Sequence, residues 1–310
     1  MALVSVVGAT GRQGLAQIRQ LVAAGHSVRA LSRSENPDLG PTNADIETRV
    51  IDLYDPATFV PALEGSDAIF YNHPLQLRDA RAELAGVIGQ AAKEVDAKRF
   101  VWNTSSWIPD KPGDPFTYAG NTAGINALFR SGVPATVFGS VLFMDNLLTN
   151  WARPFIVHES RYVYPHNPEL ASNWISLDDV GKIMVAALDR PDLEGAWMNI
   201  GGPERLKPPQ VAAILSEHFG REIKYDPCTP EEFGDYLVEA LGDSLPEEQR
   251  AIMSAGIAAF YQYNNTAPTK PFQVNTDYMM ERLPGMDFET LSQWVKRQDW
   301  SDTAHRPSAG

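Results

Sequence analysis

The chain has one cysteine, Cys228, so it can form no internal disulfide and assemble no cysteine-rich metal cluster. Nothing marks an oxidising compartment, no metal site is expected, and Cys228 reads as a bystander rather than a nucleophile. Long apolar runs are missing as well, and none reaches the roughly 20 residues that a membrane-crossing helix requires. The first apolar run, from Leu3, follows no charged segment and reads as a strand rather than a signal peptide. Basic residues are few, with 26 Lys and Arg against 39 Asp and Glu and a formal net charge of −13. That balance excludes non-specific nucleic-acid binding and an anionic membrane surface as partners. Internal repeats and low-complexity tracts are also absent. The class left is a small-molecule-binding globular protein, expected in the cytoplasm, with both a monomer and a homodimer open.

What is present begins with Leu3-Val4-Ser5-Val6-Val7-Gly8-Ala9-Thr10-Gly11-Arg12-Gln13-Gly14. The β-branched residues suit a buried parallel strand, and Leu15, Ile18, Leu21 and Val22 then recur at helical spacing. Glycines at this junction let the backbone turn tightly and approach a pyrophosphate, which meets the amides and positive dipole end of the helix. The spacing is Gly-x-x-Gly-x-x-Gly rather than the tighter Gly-x-Gly-x-x-Gly, so its place between strand and helix carries the argument. Gly25 closes the helix and Ser27 to Ser32 forms the next strand, which completes a βαβ unit within the first 33 residues. Gly8, Thr10, Gly11, Arg12, Gln13 and Gly14 are therefore assigned to a dinucleotide cradle.

An acid at the end of the second strand would accept ribose hydroxyls, and here Arg33 and Ser34 stand instead. A guanidinium suits a 2′-phosphate, so NADP(H) is expected over NAD(H), with Arg12 as a second cation or an adenine-stacking group. Asp52 and Leu53, in the segment Glu47–Leu53 that reads as a third strand running into a loop, have two readings: they receive adenine, or Asp52 caps the helix at Asp55-Pro56. Asn72, His73 and Pro74 follow a buried strand, at the edge where open α/β sheets bind ligands, with a histidine satisfied inside its loop as the equal alternative. Thr104, Ser105, Ser106 and Trp107 follow the strand Arg99–Asn103 at the same edge. Backbone groups near Phe138 and Gly139 are expected to reach the nicotinamide amide. Asp178 and Asp179 read as helix-capping acids.

Gly8-x-x-Gly11-x-x-Gly14, the Ser105-Ser106 pair, Ser131-Gly132-Val133-Pro134-Ala135-Thr136-Val137 and Phe143-Met144-Asp145-Asn146-Leu147-Leu148 together resemble the NmrA-like group of atypical short-chain dehydrogenase/reductases. The resemblance runs from Ala2 to about Gly202. It implies a doubly wound parallel α/β sheet of the Rossmann type, NADP(H) at the glycine turn, and a smaller, mainly helical C-terminal lobe over a cleft. The corresponding division is 1–150 with 175–202 for the nucleotide domain, 151–174 and 203–300 for the substrate lobe, and 301–310 as a flexible tail.

Hydride-transferring short-chain dehydrogenases use a serine or threonine, a tyrosine, and a lysine four residues after the tyrosine. Ser105 and Tyr118 match that spacing and are the catalytic candidates, but position 122 is threonine. Reductases of the isoflavone type carry a lysine at the start of the same helix, where Thr122 again stands. Lys111 in the preceding loop reads as a surface lysine. Where relatives show Arg-Pro-Gly, this chain has Gly139-Ser140-Val141, a remodelled reactive end. Aromatic density after the nucleotide half suits a flat apolar pocket, with Trp107, Phe143, Trp151, His158 and Trp174 as substrate candidates. The function implied is NADPH-dependent reduction of a small aromatic or conjugated carbonyl or enone. A redox sensor that binds NADP(H) without turnover, and a non-redox isomerase or lyase with bound cofactor, are the alternatives.

Overall fold

The computed structural model describes residues 1–41, 45–109, 118–240 and 246–301, so Lys111 and most of the expected tail lie outside the described residues. Strands β1 (Leu3–Val7), β2 (Ser27–Ser32), β3 (Glu47–Val50), β4 (Ala68–Asn72), β5 (Arg99–Asn103) and β6 (Ala135–Ser140) follow one another along the chain. After the short β7 (Arg161–Tyr164) and β8 (Ser172–Asn173), β9 (Ala196–Ile200) returns to them. These make one sheet of seven parallel strands in the order β3-β2-β1-β4-β5-β6-β9. The order reverses between β1 and β4, which opens a crevice at the carboxyl ends of those strands. Two small ladders lie outside it, in which β10 (Arg205–Leu206) pairs with β8 and β11 (Lys224–Pro227) pairs with β7.

Alternation along the strands sends residues to two cores. Val4, Val6, Phe70, Val101 and Phe138 face one side, with Ile18 and Leu21 of helix α1 (Arg12–Ala23). Val7, Ile69, Tyr71, Phe100, Trp102 and Val137 face the other, where Phe59, Ala62 and Leu63 of α2 (Phe59–Leu63) join them. Leu84 and Ile88 of α3 (Arg81–Glu94) and Ile125 and Leu128 of α4 (Ala119–Arg130) complete that side. Strands β4, β5 and β6 are buried on both faces, which explains their near-continuous apolar runs.

Helix α5 (Arg153–Glu159) precedes β7, and α6 (Leu177–Ala186) packs beside α1 through Val180, Ile183 and Met184. The C-terminal helices are α7 (Pro208–Phe219), α8 (Pro230–Ala240), α9 (Glu247–Thr266), α10 (Thr276–Arg282) and α11 (Leu291–Arg297). A third core joins Tyr162, Tyr164, Trp174, Phe233, Tyr261 and Trp294.

The third strand runs into a loop after Val50, where Asp52 Oδ1 accepts the Tyr54 N–H at 3.0 Å and turns the chain. Ser176, not either aspartate, caps α6 by accepting the Asp179 N–H at 3.0 Å. Asp178 instead binds Arg19 and Arg297, and Asp179 binds Lys182. Among the described residues no helix is long and apolar enough to cross a membrane, and no cluster of His, Cys, Asp or Glu could hold a metal ion.

Candidate functional site

Gly8 has φ +74°, and its carbonyl accepts the Gly11 N–H at 3.1 Å, so the chain reverses between β1 and α1. Thr10 lies half-buried in that turn. Gly11, the N-cap, contributes no side-chain cap, and the first turn of α1 contains no acid. The turn therefore presents uncapped amides and the positive end of a dipole, the arrangement a pyrophosphate requires. A Cβ on Gly14 would lie 2.3 Å from the Gly8 carbonyl oxygen, so this glycine is needed for the helix to sit against the turn.

Asn72 is buried beneath the turn. Its Nδ2 donates to the Val7 carbonyl at 3.0 Å and to Gln17 Oε1 at 2.8 Å, and its Oδ1 accepts from Gln17 Nε2 at 2.8 Å. The side chain expected to touch cofactor is instead a clamp joining β4, β1 and α1. His73 takes the second of its two readings, a histidine satisfied inside its loop. Its Nδ1 meets the Tyr71 hydroxyl at 2.8 Å and its Nε2 the Leu77 carbonyl at 2.8 Å, while burial pushes its pKa down to about 4. Pro74 closes this loop by accepting the Leu77 N–H at 3.1 Å.

Beyond β2, Arg33 and Ser34 are exposed, and Arg33 makes no ion pair among the described residues. The Ser32 hydroxyl fixes this corner, donating to the Ser34 carbonyl at 2.7 Å and accepting the Ser34 N–H at 3.1 Å. Asp52 is not the helix cap: Asp55 accepts the Ala57 N–H at 3.1 Å, and Asp52 makes the turn at Tyr54. Leu53 is half-buried against the second core. Arg12 does not join Arg33. Its guanidinium crosses to the far side of β1 and donates to the Asp145 carbonyl at 3.1 Å and to Asn146 Oδ1 at 3.4 Å. Arg12 stays exposed to solvent, yet the surrounding protein lowers its pKa from the usual value, against an opposing pull from Asp145.

At the end of β5, Ser105 adopts φ +60°, a left-handed conformation uncommon outside glycine. Gln13 Nε2 donates to its Oγ at 2.7 Å, and the Ser105 N–H donates to Asn103 Oδ1 at 3.2 Å. Thr104 is structural, with its N–H on the Phe138 carbonyl at 2.9 Å and its hydroxyl on the Ser106 carbonyl at 2.6 Å. The Phe138 carbonyl thus accepts from Thr104, and β6 lies between two neighbours. Gly139 makes room for another clamp: Asn199 Oδ1 accepts the Ile108 N–H at 2.7 Å and its Nδ2 donates to the Ile108 carbonyl at 2.8 Å. A Cβ at Gly139 would lie 2.4 Å from Asn199 Oδ1.

The model of the NmrA-like family matches residues 1–295. The chain belongs to the NmrA-like family. It is 29% identical over 251 residues to the NAD(P)H azoreductase of Xenophilus azovorans, covering 79% of this chain and 85% of that one. It is 27% identical over 285 residues to a (4-alkanoyl-5-oxo-2,5-dihydrofuran-3-yl)methyl phosphate reductase of Streptomyces griseus, covering 87% and 95%. Among solved structures, the Citrobacter sp. triphenylmethane reductase complexed with NADP(H) superposes with a TM-score of 0.72 at 19% identity, over 95% of this chain and 99% of that one.

In this NmrA-like protein the hydroxyl of the second catalytic candidate is hydrogen-bonded to a C-terminal helix. Tyr118 is buried, its hydroxyl donates to Asn264 Oδ1 of α9 at 2.7 Å, and its ring sits among Trp107, Phe260 and Tyr263. Thr122, at the lysine position, faces solvent on α4. Trp107 and Trp174 are buried core residues, whereas Phe143 and Trp151 are half-buried. Trp151 packs edge-on against Phe233 at 5.0 Å. His158 is exposed in the last turn of α5. Burial pushes the Cys228 thiol up to about 12, in keeping with an inert sulfur.

Two polar groupings escaped sequence reasoning. Gln13, Asn103, Ser105 and Ser140 interlock across α1, the end of β5 and β6. Asn121 bridges Arg81 of α3 to Ser106 and the Trp107 carbonyl. The available signal was an asparagine ending an apolar strand, since a buried amide there must find partners. A surface hollow of about 480 Å³, lined by Arg205, Lys270, Gln273 and Asp277 among others, shares no lining residue with the glycine turn or with Ser105.

Proposed function

We propose that this NmrA-like protein is an NADPH-dependent oxidoreductase that reduces a small aromatic or conjugated acceptor. The observation that carries the reading is the glycine turn: uncapped amides at the start of α1, over a helix held so close that Gly14 admits no side chain. Its residues fit a dinucleotide. The amides of the first turn and Arg12 would hold the pyrophosphate, and the exposed Arg33 and Ser34 would take the 2′-phosphate. When bound, NADPH supplies hydride. Ser105 would orient the acceptor through its hydroxyl, and Phe143, partly buried against the first core, would supply an apolar contact. The reductases among the relatives support turnover over sensing, and their names point to azo, lactone and triarylmethane acceptors.

The test is calorimetric titration of nucleotide-stripped protein with NADPH, NADP⁺, NADH and NAD⁺ at fixed salt. It is followed by NADPH oxidation against a benzoquinone, a mono-azo dye and an aromatic enone. The expected result is NADPH affinity at least about tenfold above NADH, as one added charge-assisted phosphate contact provides, with turnover of at least one acceptor. Absence of binding by all four nucleotides would overturn the reading.

A further inference from the structure

The backbone N–H of Ser105 can only donate, and it donates to Asn103 at 3.2 Å. The atom receiving it is therefore the amide oxygen Oδ1, which turns the Asn103 nitrogen towards Gln13. Asn103 Nδ2 donates to Gln13 Oε1 at 2.7 Å, so the nitrogen of Gln13 is the atom that faces Ser105. Gln13 Nε2 then donates to Ser105 Oγ at 2.7 Å. Ser140 reinforces the arrangement by donating its hydroxyl to Asn103 Oδ1 at 2.6 Å, and Asn103 is fully buried. Each amide has one orientation because one main-chain hydrogen sets the whole chain of donors and acceptors.

The Ser105 oxygen is thus used as an acceptor by the protein. Among the described residues nothing accepts its proton, and the left-handed backbone holds this half-buried side chain at the carboxyl edge of the sheet. We propose that Gln13, a residue of the glycine turn, is a positioning residue that sets the Ser105 hydroxyl as a donor to the acceptor heteroatom of the substrate. The inference rests on the reductase reading and deepens it. A hydroxyl without Gln13 would rotate freely; with Gln13 donating into one lone pair, its proton is turned away from Gln13 and favours a group that offers a lone pair. The favoured substrates are those whose oxygen or nitrogen gains negative charge as the adjacent π bond breaks. The proton that this heteroatom finally bonds comes from solvent. The cofactor cradle and the reacting edge are thereby joined through one side chain.

The test is a double-mutant cycle of Gln13→Met and Ser105→Ala, with NADPH and a benzoquinone in the turnover assay and NADPH affinity read separately by nicotinamide fluorescence. Gln13→Met is expected to lower kcat by about tenfold with NADPH Kd changed by less than about twofold, and the double variant to be no slower than Ser105→Ala. A second readout is the acceptor. The loss with benzoquinone should exceed the loss with a triphenylmethane cation by about fivefold, because that cation takes hydride at carbon and develops no anionic heteroatom. Losses that multiply in the double variant, equal losses with both acceptors, or a Kd that rises as kcat falls would overturn the inference. A wild-type chain that binds no NADPH overturns the reductase reading itself. A chain that binds NADPH while its Gln13→Met variant turns over normally overturns only the inference.

Discussion

Ser105 shows how a single residue separates folding from chemistry. Its φ of +60° is a conformation that alanine tolerates as poorly as serine does, and that glycine adopts freely. Ser105→Gly and Ser105→Ala both remove the hydroxyl from Gln13, but only glycine relieves the backbone. Denaturant unfolding should find the glycine variant more stable than the alanine variant by about 1 kcal/mol, with turnover equally low in both. Equal stabilities would show that the left-handed geometry is not held in solution. Arg33 belongs to the same scale. With an exposed guanidinium and no ion pair among the described residues, Arg33→Asp removes a phosphate partner and adds a group that accepts ribose hydroxyls. The ratio of NADPH to NADH affinity should fall by about a hundredfold, the sum of a lost attraction and a gained repulsion. An unchanged ratio would take Arg33 out of the site.

At the scale of elements, the cradle depends on how closely α1 approaches the turn that precedes it. Gly14 supports that approach from the helix side, and the Asn72–Gln17 pair holds it from below. A methyl group at Gly14 would press on the Gly8 carbonyl and the Ala9 backbone, with only main-chain atoms available to yield. Gly14→Ala should therefore destabilise the fold by about 2–3 kcal/mol and weaken NADPH binding by more than about tenfold, measured by thermal unfolding and calorimetry. Full affinity in this variant would mean that α1 can shift without consequence for the cradle. The same logic explains why the side chains of Asn72, His73 and Thr104 serve as internal ties, and why Gly139 leaves room for the Asn199–Ile108 pair. At the carboxyl edge of a sheet, polar side chains either meet a ligand or hold neighbouring segments together, and these three do the latter.

Across the whole molecule, two histidines set a pH dependence. His73 is held by Tyr71 and Leu77, and His166 is ringed by Tyr164, Tyr261 and Phe272 with no partner for Nε2. Burial lowers their pKa values from 6.5 to about 4 and about 3, so both are neutral in the folded protein. The unfolded chain binds their protons below about 6.5, so the folded state binds fewer and loses ground there. Their contribution is complete above pH 6.5 and is lost as pH falls towards 4 and 3. Burial raises Asp145 and Asp179, which act in the opposite sense only near the ordinary carboxylate range. Urea unfolding between pH 7.5 and 5 should show stability falling by roughly 2–4 kcal/mol. His166→Phe should fill the same aromatic space and make that fall shallower. An unaltered slope in His166→Phe would exclude His166 as a cause.

The parallel sheet, the strand–turn–helix at Gly8 to Gly14 and the NmrA-like membership were legible because they rest on local order. Strands buried on both faces, a 3.6-residue stripe and glycines between them survive any rearrangement of distant parts. The roles of single polar side chains were not legible, since a hydrogen bond depends on which loop comes within about 3 Å, and that is set by packing. Tyr118 illustrates the limit: its spacing from Ser105 matched a catalytic pair, yet α9, from the far end of the chain, supplied Asn264 and took its hydroxyl. Gln13 illustrates the converse. Its place in the turn was plain, but its amide could be oriented towards Ser105 only by Asn103, which the sheet brings from 90 residues away.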